Sequence, residues 1–284
     1  MRRDKPRQAS PSMMGMTMLS VSSLMLSHAA TAVAAGVLLS TASHAQEVLT
    51  GEQLSQIAEQ VRSFKPRDEF DTPPAMPSLA GKRFSYTVAP LSTGTDNKIC
   101  KGSPTKTFWA NEGRLEVAAS SGTMSPSDFV GQQRHAFPEP ADRRAWGLLD
   151  VFSFTCHYVR HPNYLANNAL GAQFNIEKTT TLVTAIGEFL SSRNKPWKTS
   201  WQKPATGDEA RQLSEHIRIR MSGTLSDWSP GRSVICGTSV RLPTMRSPYD
   251  ETTGACIFNG RPDLFEVIDA RTGAVLFSSS RKPD

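Results

Sequence analysis

Two short stretches carry residue types and spacings that could do chemistry. In Cys156-His157-Tyr158-Val159-Arg160-His161, two histidines stand four residues apart. On a helix or a strand that spacing brings both imidazoles to one side, as a metal pair would require. A site needs a third protein ligand, and no nearby Glu or His presents itself by spacing, so no metal is assigned. Cys156 beside His157 has the types of a nucleophile and its base, yet neighbours along a strand point to opposite faces. There is no Gly-x-Ser-x-Gly elbow, no His-Glu-x-x-His helix and no Gly-rich phosphate loop. The spacing calls for no cofactor. A triad is recognised in space and not in sequence, so a secreted hydrolase with dispersed catalytic residues stands as the alternative function. A pocket joining His135, His157, His161 or His216 to an acidic residue would favour it.

The second stretch is Trp197-Lys-Thr-Ser-Trp201, with Lys195, Lys198 and Lys203 around it. Two indoles on one side of an extended or helical segment could form a stacking platform for a sugar ring, because aromatic faces bury large areas at little entropic cost. Trp197 and Trp201 are therefore the candidate binding residues. The competing expectation is that both are core residues beside a Pro-rich turn.

The elements that must position these residues begin with a leader. Arg2, Arg3, Lys5 and Arg7 make a basic start, and no Asp, Glu, Lys or Arg occurs from Gln8 to Gln46. The run ends in Ala29–Leu39 and then Ser43-His44-Ala45, with small residues at −3 and −1 of a cleavage point. A basic n-region, an apolar h-region and that ending are the parts of a Sec-type signal peptide. Only about 11 consecutive residues are densely apolar, short of the roughly 20 that a spanning helix needs. The expectation is a bacterial periplasmic or extracellular protein, mature from Gln46, with no permanent membrane span after leader cleavage.

Export changes the meaning of charge and cysteine. The chain has 32 basic and 26 acidic residues, net +6. The leader takes four basic residues and Asp4, which leaves 28 against 25, or +3, over 239 residues. That is an ordinary solvated surface, so nucleic acid is not an expected partner. The four cysteines, Cys100, Cys156, Cys236 and Cys256, all lie in the mature part. An even count in an oxidising compartment predicts disulfides. Four cysteines allow three connectivities. Cys100–Cys156 and Cys236–Cys256 are expected because each closes a loop within one half of the chain, and loop-closure entropy assigns them roughly 4 and 3 kcal/mol.

Three segments follow: the leader 1–45, an N-terminal helix and Pro-rich linker 46–80, and a β-rich domain 81–284. Thr50-Gly-Glu-Gln53 resembles a capping box, and Leu54, Ile57, Val61 and Phe64 behind it share a helical face. Pro66, Pro73, Pro74 and Pro77 make the stretch after it extended. A short turn is expected at 125–128. Phe84, Tyr86 and Val88 alternate as in a half-buried strand, and Leu115 to Ala118 reads as another. Leu148–Val159 is the strongest strand signal, with Phe152, Phe154, Cys156 and Tyr158 expected on one face and the disulfide buried among them. Residues 176–190 fit either period; Ile176, Val183, Ile186 and Leu190 favour a helix ending at 191–196. Thr206-Gly-Asp-Glu209 starts a short helix, Ile217, Ile219 and Met221 a strand with Arg218 and Arg220 outward, and Ser233–Thr238 another strand. Leu264–Ile268 and Ala274–Phe277 form a hairpin in which Gly273 supplies the positive φ. An echo between Arg83…Cys100…Ser103 and Arg218…Cys236…Ser239 would divide the domain into subdomains 81–190 and 205–284. The fold class is α+β to mainly β, an antiparallel sheet, sandwich- or barrel-like, with a few short helices. The function expected is a cell-envelope or secreted protein that binds a protein partner or a cell-wall glycan.

Overall fold

A computed structural model of the chain describes residues 47–63, 78–93, 100–124, 148–167, 171–189, 197–228 and 230–281. The leader, the Pro-rich stretch, the 125–128 turn, His135 and the 191–196 segment lie outside the described residues. Among the described residues two α-helices, α1 (Gly51–Ser63) and α2 (Gly207–His216), accompany fourteen strands. The strands of the large sheet are β1 (Val48–Thr50), β2 (Arg83–Val88), β6 (Gly122–Met124), β7 (Leu149–Arg160), β8 (Tyr164–Asn167), β9 (Gln173–Phe189), β11 (Ile217–Leu225), β12 (Val234–Arg241), β13 (Tyr249–Asp269) and β14 (Ala274–Ser280). Its order is β1-β2-β11-β13-β9-β7-β6, with β12 and β14 also on β13 and β8 on β9. A second sheet runs β10-β5-β4-β3, from β3 (Leu91–Ser92), β4 (Thr105–Trp109), β5 (Arg114–Ser120) and β10 (Lys198–Pro204). Neither sheet closes into a barrel. Most pairings are antiparallel; β1/β2, β3/β4 and β9/β13 are parallel.

β13 joins the large sheet together. Its first half, Tyr249–Asn259, pairs with β9 and β12, and its second half, Gly260–Asp269, with β11 and β14. Within one sheet β11 and β13, from 205–284, thus lie between β2 and β9, both from 81–190. β2 and β11, the strands that open the two halves of the sequence echo, pair directly with Ser85 opposite Ser222.

One core lies between the sheets. Phe84, Phe152, Phe258 and Phe265 are fully buried there with Leu115 and Val117 of β5, Leu54 and Ala58 of α1 and Ala210 of α2. Replacing any of those phenylalanines by alanine costs about 3–5 kcal/mol. A smaller core on the other face of the large sheet gathers Val151, Val183, Ala185, Ala255, Ile257 and Trp228. α1 begins at a capping pair, Thr50 N–H donating to Gln53 Oε1 at 2.8 Å and Gln53 N–H to Thr50 Oγ1 at 3.3 Å. α2 has the same device between Thr206 and Glu209. β11 buries Ile217, Ile219 and Met221 and turns Arg218 and Arg220 outward.

Two sequence expectations are corrected. Residues 176–189 are strand and not helix: Thr179-Thr-Thr-Leu-Val-Thr is β-branched, and such side chains pack well on a pleated surface. Val183 to Gly187 are buried on both faces between β7 and β13, which erases the alternation that marks a strand. In β7 a bulge between Ser153 and Thr155 shifts the register. Phe152 and Phe154 therefore face the main core, while Cys156 is half-buried against the smaller one. A bulge adds one residue to a strand and so reverses every side chain beyond it.

Both disulfides, Cys100–Cys156 and Cys236–Cys256, are present. The second links directly opposed residues of β12 and β13 beneath α1, with both sulfurs near the Ala58 carbonyl. The first fastens the turn at 100–103 to β7, where Ser153 Oγ donates to the Lys101 carbonyl at 2.6 Å. Gly102 sits in that turn at φ +77°, and a Cβ there would strike the Val151 carbonyl.

Candidate functional site

The four-stranded sheet presents two aromatic residues on opposite faces of one strand. Leu115, Val117 and Ala119 of β5 face the core, so Arg114 and Glu116 face out. Phe108 of β4 is opposite Leu115, and Trp109 is opposite Arg114. Trp109 therefore stands on the outer face, 44% exposed. Its indole Nε1–H donates to Glu116 Oε2 at 2.9 Å, and the Arg114 guanidinium lies 6.0 Å from the ring centroid. Arg114 in turn is held by Glu112 at 2.6 Å and by Gln202 Oε1 at 2.6 Å. The indole is thus fixed in orientation inside a frame of polar side chains from β5 and β10. Exposed rings in a polar frame are the anatomy of recognition surfaces.

Phe108, on the inner side, forms a wall of a cleft of about 380 Å³ between β3–β4 and α2. Leu115 and Ala210 make the apolar floor. Lys106, Arg211, Ser92 and Ser214 supply polar side chains on this side, and Thr93 and Thr107 lie at the β3–β4 rim. Lys106 Nζ donates to the Ser214 carbonyl at 2.9 Å, on the C-terminal turn of α2. Burial and the neighbouring Arg218 hold the Lys106 ammonium below its ordinary range, against a pull in the other direction from Glu215. Thr107 Oγ1 donates to Thr93 Oγ1 at 2.9 Å, and Arg211 pairs with Asp208 at 2.5 Å. The volume falls toward the small end of small-molecule sites, about 300–1,000 Å³.

Trp197 and Trp201 lie on the core-facing side of the β10 segment. Trp201 is opposite Val117, and Trp197 meets Phe152 edge-on at 5.7 Å between centroids. Both are half-buried and pack against the main core. His157 is exposed on β7, and His161 Nε2 is 2.9 Å from Thr180 Oγ1. His216 closes α2, 3.9 Å from Glu215. Among the described residues no three His, Cys, Asp or Glu side chains are grouped to hold a metal ion. Sequence reasoning did not single out Phe108 and Trp109, although Thr105-Lys-Thr-Phe-Trp109 alternates as a short edge strand does.

Two carboxylates with opposite shifts lie elsewhere, Asp150 buried and Asp227 half-buried. Asp150, 2% exposed on β7, has no hydrogen-bond partner at Oδ1 among the described residues. Burial pushes its carboxyl up; Ser121, Arg281 and the Trp197 backbone pull it down, and Glu188 opposes them. Asp227 is the opposite case. Burial alone would raise it, but hydrogen bonds from Ser233, Ser78 and the Gly231 amide outweigh that and hold it below the usual carboxylate range. Ser78 Oγ donates to Asp227 Oδ2 at 2.6 Å and Leu79 N–H to Ser233 Oγ at 2.7 Å, so Asp227 ties residues 78–79 to the start of β12. Among the described residues no helix is long and apolar enough to cross a membrane. Comparison with protein-family models, with curated proteins and with solved structures found no match.

Proposed function

We propose that this chain is an exported bacterial protein of the cell envelope or the secreted fraction, and that it acts by binding a cell-wall glycan. The observation that carries the glycan is Trp109. Its exposed indole is anchored by Glu116 and framed by Arg114 and Gln202 on the outer face of a sheet, and such a ring stacks on the apolar face of a sugar while the polar frame meets the hydroxyls. Placement on strands fixes the frame more firmly than loops would. The uncharged run before Ser43-His44-Ala45 supports export, and the two disulfides suit an oxidising compartment. In this reading residues 1–45 are removed, and the N-terminal helix of 46–80 packs onto the β-rich domain of 81–284.

The test takes the full chain expressed in a bacterium. N-terminal sequencing of periplasmic or medium protein should begin at Gln46 or within a few residues of it. That mature protein should sediment with purified peptidoglycan. Intact Met1 in a membrane fraction would overturn export, and full recovery in the supernatant would overturn the glycan.

A further inference from the structure

The cleft on the inner side of β4 is chemically distinct from the Trp109 face. Its floor is apolar, its wall is an aromatic ring, and its polar lining holds two cations and the hydroxyls of Ser92 and Ser214. Of the three donors on the Lys106 ammonium, the Ser214 carbonyl takes one. The partner of Arg211, Asp208, lies in the first turn of α2, and both side chains are largely exposed, so that pair is readily exchanged for a ligand carboxylate. Arg218 directs its Nη1 to the Glu215 and Ile217 carbonyls. Among the described residues no acidic side chain lines the cleft. The local excess is therefore positive beside a surface suited to a ring.

We infer that this cleft binds a sugar bearing a carboxylate, with the carboxylate between Lys106 and Arg211, the ring against Phe108, and sugar hydroxyls on Ser92 and Ser214. The inference rests on the glycan reading and deepens it by naming the class of sugar. A charge-assisted, two-cation contact accounts for the preference over a neutral sugar. The aromatic wall accounts for the preference over a bare carboxylate. Lys106 stays charged on binding, because an anion beside it opposes the effects of burial and Arg218.

The probe is D-glucuronate, titrated into the mature protein by isothermal calorimetry or NMR, with D-glucose and acetate in parallel. Glucuronate should bind at least tenfold more tightly than either, and 0.5 M salt should weaken it severalfold. Arg211→Ala removes a side chain that is 79% exposed, so folding should survive, and binding should fall about tenfold. Phe108→Ala should lower glucuronate binding similarly without changing the salt dependence. Glucose binding equal to glucuronate would overturn the role of charge, acetate binding equal to glucuronate the role of the ring, and an unaffected Arg211→Ala protein of native melting temperature the location. If peptidoglycan retains the protein but glucuronate does not bind, the cleft assignment fails and the glycan reading stands. If glucuronate binds and peptidoglycan is not retained, the cleft stands and the glycan reading fails.

Discussion

Three tryptophans on one small sheet should separate binding from stability. Trp197 and Trp201 are half-buried against the main core, Trp197 edge-on to Phe152. A fully buried Trp→Ala change costs about 3–5 kcal/mol. Scaling by partial burial leaves about 2 kcal/mol for each of these two, within which the Phe152 contact accounts for about 0.5–1.5 kcal/mol. In a domain of this length 1 kcal/mol moves the melting temperature by about 2–4 °C, so Trp197→Ala should melt about 4–8 °C lower. Trp109 is 44% exposed and makes one surface hydrogen bond and one cation–π contact. At such sites the contact is worth about 0.5–1 kcal/mol, so Trp109→Ala should move the melting temperature by only about 1–4 °C. Sedimentation with peptidoglycan should then reverse the order: Trp109→Ala loses retention, while folded Trp197→Ala keeps it. Calorimetric melting and one sedimentation series on the three single variants read both effects. A Trp197→Ala protein that melts like the parent yet no longer sediments would refute the assignment. It would move the platform to the β10 pair.

The disulfides should be unequal. Loop-closure entropy over separations of 56 and 20 residues gives about 4 kcal/mol for Cys100–Cys156 and about 3 kcal/mol for Cys236–Cys256. Urea melts of the Cys100→Ala/Cys156→Ala and Cys236→Ala/Cys256→Ala proteins should rank in that order, and the reverse order would show that the packing of the second bridge under α1 outweighs chain entropy. The carboxylates Asp150 and Asp227 should give pH effects of opposite sign. The folded-state value of Asp227 is lowered, so its stabilisation is complete above the unfolded value of about 3.9 and is lost as pH falls through the folded value. The folded-state value of Asp150 is raised, so its native-state preference is present below about 3.9 and fades as pH rises through the folded value. Asp150→Asn should therefore raise the melting temperature at pH 7 and lose that advantage at pH 3, whereas Asp227→Asn should lower it at pH 7 and matter less at pH 3. An Asp150→Asn protein that melts lower at pH 7 would show that the ionised carboxylate is held by Arg281.

Local signals in this sequence are legible where one face of an element is buried and the other wet. β2 and β11 alternate cleanly because their outer faces meet water, and both capping boxes form because a Thr hydroxyl and the side chain three residues on are all the motif needs. The signal fails where the sheet is covered on both sides. Val183 to Gly187 present no exposed face, so the strand period is hidden and the apolar spacing of 176–190 matches a helix by accident. In β7 the strand itself is legible, but the bulge before Thr155 is not, since no Gly or Pro marks it. One unmarked residue was enough to move Cys156 from one core to the other.

The candidate sites were out of reach for a different reason. The cleft takes residues from 92–93, 106–108 and 207–214, brought together only because β4 pairs with β5, whose Leu115 shares the core with Ala210 of α2. No local pattern encodes a contact between segments about a hundred residues apart, and cations on an exposed helix read as solvated surface. Trp109 was visible as a residue but not as a surface. Its direction follows from β5, whose Leu115, Val117 and Ala119 fix the inner face and so turn Arg114, Glu116 and their partner Trp109 outward. The same register turns Trp201 inward, opposite Val117. Four residues of spacing put Trp197 and Trp201 on one side, as their sequence implies, but only the neighbouring strand decides which side that is. Binding and packing are thus assigned by one pairing register, and a one-residue slip between β4 and β5 would exchange Trp109 with Phe108 and abolish the outer ring and the cleft wall together.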